Sequence, residues 1–415
     1  MQSTDSPAGR EKAISNLAGL PPDLFRGLLA PKPLDRTLSD KAREAGQGAC
    51  VVWQDIVTEA DAHGIGVLLH QRLTELGLGK LLDPQTERAL EADARHAQLQ
   101  CALQRQDAIL ISEVLSELGV RHAFLKGFAY RAWLYQPTWV RPGSDIDILI
   151  DPEAIETVRA AMLEIGFIQA SRSWNFTNFR PATAREIRQT EATHYELAQF
   201  ARSLLLKNPP DWLFGPDFTR GAPFTFEQLP QGPVLHSVVD VHWALHSFWE
   251  KETPLDVIVL MAISEGDDEI PTLSLEWNLL FSSFKLYFEA FDRPGRGLHK
   301  LVDLAALLAA HHHEIDWEWY ADMIAHYKLQ AASFYTFSAV QRLADKTLIP
   351  DRLMRTWSRV EPLAEGQGED KRPSETLDFG DFLSTLLGTR IPSSFLYPLP
   401  AAPQKPGRRQ RTESR

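Results

Sequence analysis

The sequence predicts an α+β fold in which a small mixed β-sheet with flanking helices is preceded and followed by helical segments. Two observations lead to this prediction. Apolar residues recur at helical spacing before about residue 119 and again from about residue 274. Between these regions, short runs rich in β-branched residues alternate with helical patterns, which is typical of an α/β unit.

Composition and periodicity divide the chain into five consecutive parts. They are a loose N-terminal segment (1–45), a helical region (46–119), an α/β core (120–260) with an insertion at about 198–230, a C-terminal helical domain (261–390) and a disordered basic tail (391–415). Prolines and phenylalanines concentrate in the insertion, and arginines and prolines in the tail.

The helical region is predicted to end in a long amphipathic helix. Asp83 followed by Pro84 is typical of a helix start, because Asp caps free N–H groups and Pro fits the first turn. Gly119 is expected to close the helix. Leucines and a valine between these ends lie mostly at steps of four and seven residues, so one face of the helix is expected to be buried.

The core begins with a predicted strand at residues 123–125, followed by a helix at 128–135. A second strand is predicted at 144–150, and a helix follows it from Asp151-Pro152 to Gly166. Residues 237–243 form a further strand candidate, and residues 193–197 could form another. Helices are then predicted at 298–310 and 317–341.

Composition limits the class of protein. The chain has 43 Lys and Arg against 55 Asp and Glu, and a formal net charge of −12 argues against nucleic acid as the main partner. Two cysteines without a CxxC pair indicate neither a disulfide framework nor a thiolate zinc site. No stretch approaches ~20 apolar residues and the N-terminus is polar, so we expect a cytoplasmic protein without a membrane partner.

Two acidic residues lie on the predicted strand 144–150. Alternate strand side chains share a face, so Asp145 and Asp147 would lie about 6.6–7 Å apart along the backbone. Like charges at this spacing raise one pKa unless a positive charge lies between them. A divalent metal would supply that charge, and Asp240, flanked by valines, is the best candidate for a third ligand in a two-metal site. The alternative interpretation is a solvated strand edge.

Lys126-Gly127 lies where a strand turns into a helix. A helix N-terminus binds phosphate through free N–H groups, Gly permits close backbone approach and Lys adds a point charge. The same turn is common in proteins that bind no phosphate. Arg131 and Arg141 are either further phosphate contacts or surface residues.

Several of these blocks, in this order, resemble the bacterial uncharacterised nucleotidyltransferase family, a branch of the polymerase-β-like nucleotidyltransferase superfamily. The resemblance covers about residues 48–310. It rests on four blocks: Leu125-Lys126-Gly127, Leu134-Tyr135, residues 141–150 and Val239-Asp240-Val241-His242-Trp243.

The resemblance implies an enzyme that transfers a nucleoside monophosphate from an NTP, expected to be ATP, to the hydroxyl of an unidentified acceptor. Asp145 and Asp147 would bind two Mg²⁺ or Mn²⁺ ions, and Asp240 would bind the catalytic ion and help to deprotonate the acceptor. The residues expected to face the triphosphate are Lys126, Gly127 and Ser144, with Arg141 as an additional candidate.

Two departures from the resemblance matter. The superfamily usually has Gly-Ser at the phosphate-binding turn, whereas this chain has Lys126-Gly127, and Lys285 stands where the family often has a His. A catalytically inactive nucleotide-binding or regulatory module with the same fold is the alternative function.

Other motifs support weaker hypotheses. His242 and His246 have the i, i+4 spacing of a helical zinc site, but the pattern around His242 is strand-like. Cys101 has no evident His partner for thiol catalysis. Trp139, Trp243 and Trp249 are expected to pack in the core or to stack on a base. The basic tail could guide the protein to RNA.

Overall fold

The fold is described from a computed structural model that covers residues 20, 24, 27–48, 52–172, 179–207, 209, 211, 226–245, 258, 260–265, 268–292, 298–343 and 348–358. The predicted α+β architecture is confirmed, with helices before and after a mixed sheet. The predicted basic tail lies outside the described residues, as does most of the predicted N-terminal segment.

Twelve α-helices occur among the described residues. They are α1 (Arg36–Gly48), α2 (Trp53–Ala62), α3 (Gly66–Glu75), α4 (Pro84–Glu117), α5 (Lys126–Leu134), α6 (Ile155–Glu164), α7 (Ala184–Thr193), α8 (Leu275–Asp292), α9 (Leu298–His311), α10 (Trp317–His326), α11 (Gln330–Leu343) and α12 (Asp351–Trp357). The Asp83 side chain accepts hydrogen bonds from the backbone N–H groups of Gln85 and Thr86, so α4 begins where its sequence predicts. Within the described residues, none of these helices has the length and hydropathy needed to cross a membrane.

Nine strands of the described residues form one mixed sheet. They are β1 (His122–Leu125), β2 (Ile146–Ile150), β3 (Ile168–Arg172), β4 (Phe179–Pro181), β5 (Phe200–Leu205), β6 (Phe226–Leu229), β7 (Gly232–His242), β8 (Leu260–Glu265) and β9 (Asp268–Leu273). The strand order is β4-β3-β5-β7-β2-β1-β9-β8, and β6 pairs with β7 outside this path. The centre of the sheet is therefore made by β7, β2 and β1.

The central strands have one apolar face and one face with polar groups. Ile146, Ile148 and Ile150 pack in a hydrophobic cluster with Ile111 and Leu115 of α4. Because side chains alternate along a strand, Asp147 points to the opposite face of β2. Burial of the isoleucine face fixes the register of β2 and thereby the direction of its carboxylate.

The helices before and after the core share a second hydrophobic cluster. Leu68 and Leu73 of α3 belong to the same buried cluster as Leu279 of α8 and Leu304 of α9. The two helical regions that sequence periodicity separates thus pack on one another.

Four local element assignments differ from their predictions. Residues 261–273, expected to begin a helical domain, contain β9 and all but the first residue of β8, and β9 pairs in parallel with β1. The predicted insertion contains β5 and β6. In place of a strand at 193–197, only Glu196 pairs, through an isolated bridge to His242.

The predicted helix 317–341 is two helices, with Lys328 at a φ of 56° between them. Each difference depends on backbone pairing or conformation that short apolar runs do not specify.

Three buried histidines predict a pH-dependent stability. Burial lowers the pKa values of His63, His96 and His299 to about 4 each. The unfolded chain binds these protons near pH 6.5, so the contribution of the three histidines to the free energy of unfolding should fall as pH drops from 6.5 towards 4. The expected loss between pH 7.5 and 5 is roughly 2 kcal/mol per histidine.

Urea unfolding at pH 7.5 and pH 5 measures this loss. The His96→Gln variant removes one titrating group and should lose less stability over this interval than the wild type. A His96→Gln variant that loses as much stability over this interval as the wild type would contradict the prediction.

Candidate active site

The parallel pairing of β2 with β7 brings two predicted site residues together. Asp147 is the Cα partner of Asp240 in this register, and paired residues on neighbouring strands point to the same face. Asp145 lies directly before the first residue of β2 and two residues before Asp147. The charges of Asp145 and Asp147 both act on the pKa of Asp240, so the three predicted acids lie close together.

Asp147 is held by two donors on one carboxylate oxygen. The Nζ atom of Lys126 donates to Oδ1 of Asp147 at 2.7 Å, and Nε2 of His242 lies 2.8 Å from the same oxygen. Burial alone would raise the pKa of Asp147, but the Lys126 charge and the His242 bond outweigh burial and hold this pKa well below its usual range. The pKa of Lys126 is raised in turn, because the Asp147 charge outweighs burial.

Asp240 has the opposite electrostatic character. Burial and then the charges of Asp145, Asp147 and Glu196 raise its pKa well above the usual range. Nε2 of Gln199 donates a hydrogen bond to Oδ1 of Asp240 at 2.6 Å and offsets part of this effect. Neighbouring carboxyl groups with pKa values shifted in opposite directions are typical of functional sites.

The turn before α5 has an unusual backbone. Lys126 follows the last residue of β1 and has a φ of 50°, in the left-handed region that non-glycine residues rarely occupy. Such strain persists only where surrounding contacts hold it, and it is common at functional sites. Here the ion pair with Asp147 supplies one such contact.

Arg141 connects this turn to the C-terminal helices. Its Nε and Nη2 atoms donate to the two carboxylate oxygens of Asp303 on α9, at 2.8 and 2.7 Å, and Nη1 donates to the Pro142 carbonyl oxygen. The Tyr135 hydroxyl also donates to Asp303, at 2.6 Å. The Arg141 guanidinium lies against Gly127, where an added Cβ would be 3.5 Å from Nη2.

The remaining predicted residues have different surroundings. Ser144 is half-buried and directly precedes Asp145. Arg131 is fully buried on α5, with Nη1 bonded to Gln104 and its guanidinium over the Phe128 ring. It is therefore not a surface residue.

The sequence did not predict that four further residues lie at the candidate site. His242 lies two residues after Asp240 on β7, so the two side chains share a strand face. Strand alternation could therefore have predicted that His242 lies at the site. Gln199 and Glu196 lie beyond α7 in a segment without a strong pattern. Asp303 is an acidic residue within the mainly apolar sequence of α9. This contrast is the feature of the sequence that could have pointed to a role for Asp303.

The competing motifs do not form a second site among the described residues. Among the described residues, no group of three or more His, Cys, Asp or Glu side chains is arranged to hold a metal ion as it stands, and this includes the three acids of the candidate site. His246 and Trp249 lie outside the described residues. Cys101 is buried, with its Sγ atom 3.4 Å from Nη1 of Arg131. Trp139 and Trp243 pack against the hydrophobic clusters.

The sheet thus places the acids of β2 and β7 beside the turn before α5. A sequence model of the family described as uncharacterised nucleotidyltransferase matches residues 49–345. The chain belongs to this family, and a general nucleotidyltransferase role follows. No curated protein matches the chain in sequence.

One solved structure with similarity to the chain is an antigenic nucleotidyltransferase-like protein from Paracoccidioides brasiliensis. It has 13% sequence identity and a TM-score of 0.31, and the similarity covers 50% of this chain and 76% of that chain. Similarity at this level supports no inference about the site.

A Gly127→Ala substitution tests whether this turn has the role in phosphate binding that its sequence predicts. The added methyl group meets the Arg141 guanidinium at ordinary contact distances of 3.5–3.8 Å, and Ala favours the helix over Gly by about 0.5–1 kcal/mol. We therefore expect a thermal unfolding midpoint equal to or above that of the wild type, together with weaker NTP binding.

Equilibrium binding of NTP to the folded variant measures the second effect. Unchanged NTP affinity would contradict a role of Gly127 in close approach of phosphate.

Proposed function

We propose that this protein transfers a nucleoside monophosphate from an NTP, expected to be ATP, to an acceptor hydroxyl by a two-metal mechanism. The observation that supports this proposal most is the register of β2 and β7, which pairs Asp147 with Asp240. Asp145 lies close enough to contribute to the raised pKa of Asp240.

The chemistry of the three acids fits a hard divalent cation. Carboxylate oxygens are the ligands that Mg²⁺ and Mn²⁺ prefer, and Asp145, Asp147 and Asp240 would hold the ions. Burial and then the neighbouring carboxylates raise the pKa of Asp240, and a bound cation would offset the repulsion between these carboxylates. Bound Mg²⁺ supplies Lewis-acid polarisation of the α-phosphate and neutralises the pyrophosphate leaving group. Lys126, which bonds to Oδ1 of Asp147, would supply a positive charge for a phosphate oxygen beside the ions.

The residues of the chain then have separate tasks. Deprotonated Asp240 accepts the proton of the acceptor hydroxyl, and the Gln199 bond fixes the direction of its carboxylate. Lys126 and the N–H groups at the start of α5 bind phosphate, with Gly127 permitting close approach and Ser144 beside them. Arg141 adds positive charge next to Gly127 while Asp303 holds its orientation.

Transfer of label tests the reaction class. The protein is incubated with Mg²⁺, a pool of metabolites and proteins, and the four NTPs labelled either at the α-phosphate or at the γ-phosphate. We expect α-label to enter an acceptor with release of pyrophosphate, and no transfer of γ-label. Transfer of γ-label alone would indicate a kinase and contradict the proposal.

The alternative function is a nucleotide-binding or regulatory module without turnover. The ion pair of Lys126 with Asp147 favours it in one respect, because a lysine already compensates one of the three acids. Nucleotide binding without release of pyrophosphate over the whole acceptor pool would support this alternative.

A further inference from the structure

Two lysines beside the site share a single carboxylate. Lys285 on α8 has its Nζ atom 3.6 Å from Oε1 of Glu289, and Lys300 on α9 contacts Oε2 of the same residue. Lys285 also donates a hydrogen bond to the Tyr195 hydroxyl at 2.6 Å. The Lys285 side chain is 16% exposed and the Lys300 side chain 33% exposed, so water screens their charges only in part.

These lysines border the predicted catalytic acids. The hydroxyl of Tyr195 accepts the Lys285 bond, and the Tyr195 ring centroid lies 5.7 Å from that of His242, which bonds to Asp147. Burial and the charges of Lys126, Lys285 and Arg141 lower the pKa of Lys300 to about 7. Four cationic side chains therefore lie close enough together to repel one another.

Lys285 and Lys300 have one carboxylate partner between them, that of Glu289. Lys126 has its ion pair with Asp147, and Arg141 has its own with Asp303. Glu289 carries one negative charge for two lysines, of which Lys300 is partly charged at neutral pH because its pKa is lowered to about 7. Holding like charges together is unfavourable unless an anion joins them, and the most effective anion carries several charges.

We propose that Lys285 and Lys300 bind the β- and γ-phosphates of the nucleotide, an inference that rests on the proposed function. The two lysines come from different helices, so they can approach a polyphosphate from two directions as flexible point charges. Glu289 holds them in place before binding and competes with the ligand for them. Lys285 thus gains a role at the position where the family resemblance leads us to expect histidine.

Binding of inorganic tripolyphosphate to the full chain tests this proposal without requiring turnover or a known base. In isothermal titration calorimetry with EDTA, Lys285→Gln and Lys300→Gln should each weaken tripolyphosphate binding at least tenfold. Lys300→Arg should retain most of the affinity because it keeps the charge. Lys41→Gln, at an exposed position of α1, is the matched control and should bind as the wild type does.

A Glu289→Gln variant provides a test of opposite sign. Removing the competing carboxylate should tighten tripolyphosphate binding, whereas a purely structural role of the three residues predicts that all three glutamine variants bind less. The proposal is overturned if the wild type does not bind tripolyphosphate, if both lysine variants bind as the wild type does, or if Glu289→Gln weakens binding.

Failure of this inference is distinguishable from failure of the proposed function. Lysine-dependent tripolyphosphate binding without transfer of α-label would overturn the transfer reaction and leave the anion site. Transfer of α-label with binding that is independent of Lys285 and Lys300 would overturn the anion site alone.

Discussion

An Asp147→Asn variant is expected to lose nucleotidyl transfer while remaining folded. Asparagine keeps the shape of the side chain, and its carbonyl oxygen can still accept the bonds from Lys126 and His242. The negative charge that would hold a cation is lost. We expect turnover to fall on the order of 10²–10³-fold or more, the usual effect of removing one electrostatic group from a transition state.

Asp322→Asn on α10 is the matched control for this variant. The Asp322 side chain is exposed, and its substitution makes the same chemical change away from the sheet. Release of pyrophosphate reports turnover, and circular dichroism reports folding. Wild-type turnover in Asp147→Asn would show that the acids of β2 do not act in the reaction.

An Asp240→Asn variant is expected to be inactive and yet more stable than the wild type. The buried carboxyl of Asp240 is opposed by Asp145, Asp147 and Glu196, and an uncharged amide removes that repulsion. The Asn carbonyl oxygen can still accept the bond from Gln199. The gain in free energy of unfolding should be about 1 kcal/mol or more, in the range for relieving an unfavourable buried charge.

The gain should depend on pH in a defined direction. The pKa of Asp240 is higher in the folded chain than in the unfolded chain, so its contribution to stability is present at low pH and is lost as pH rises. The stability difference between Asp240→Asn and the wild type should therefore widen from pH 5 to pH 8 in urea unfolding. A variant that is less stable than the wild type at pH 8 would contradict this electrostatic account.

The sequence was sufficient for the parts of the fold that depend on local pattern. Asp83-Pro84 predicted the start of α4, and the alternation around Asp145 and Asp147 predicted β2 with one apolar face. The valines around Asp240 predicted a strand, but no local pattern specified its pairing with β2.

Long-range pairing explains what the sequence did not show. The hairpin of β8 and β9 is part of the sheet only because β9 pairs with β1, about 150 residues earlier in the chain. The ion pair of Arg141 with Asp303 joins residues 162 positions apart. Charge balance at Glu289 likewise depends on α8 and α9 lying side by side, which periodicity alone does not specify.

Electron paramagnetic resonance of Mn²⁺ tests most directly whether the three carboxylates act as one cation site. The account predicts that Mn²⁺ binds the wild-type chain in the presence of NTP, and that Asp145→Asn, Asp147→Asn and Asp240→Asn each weaken this binding at least tenfold. Asp322→Asn should leave it unchanged. Mn²⁺ affinity that is the same in Asp240→Asn and in the wild type would contradict the shared site of β2 and β7.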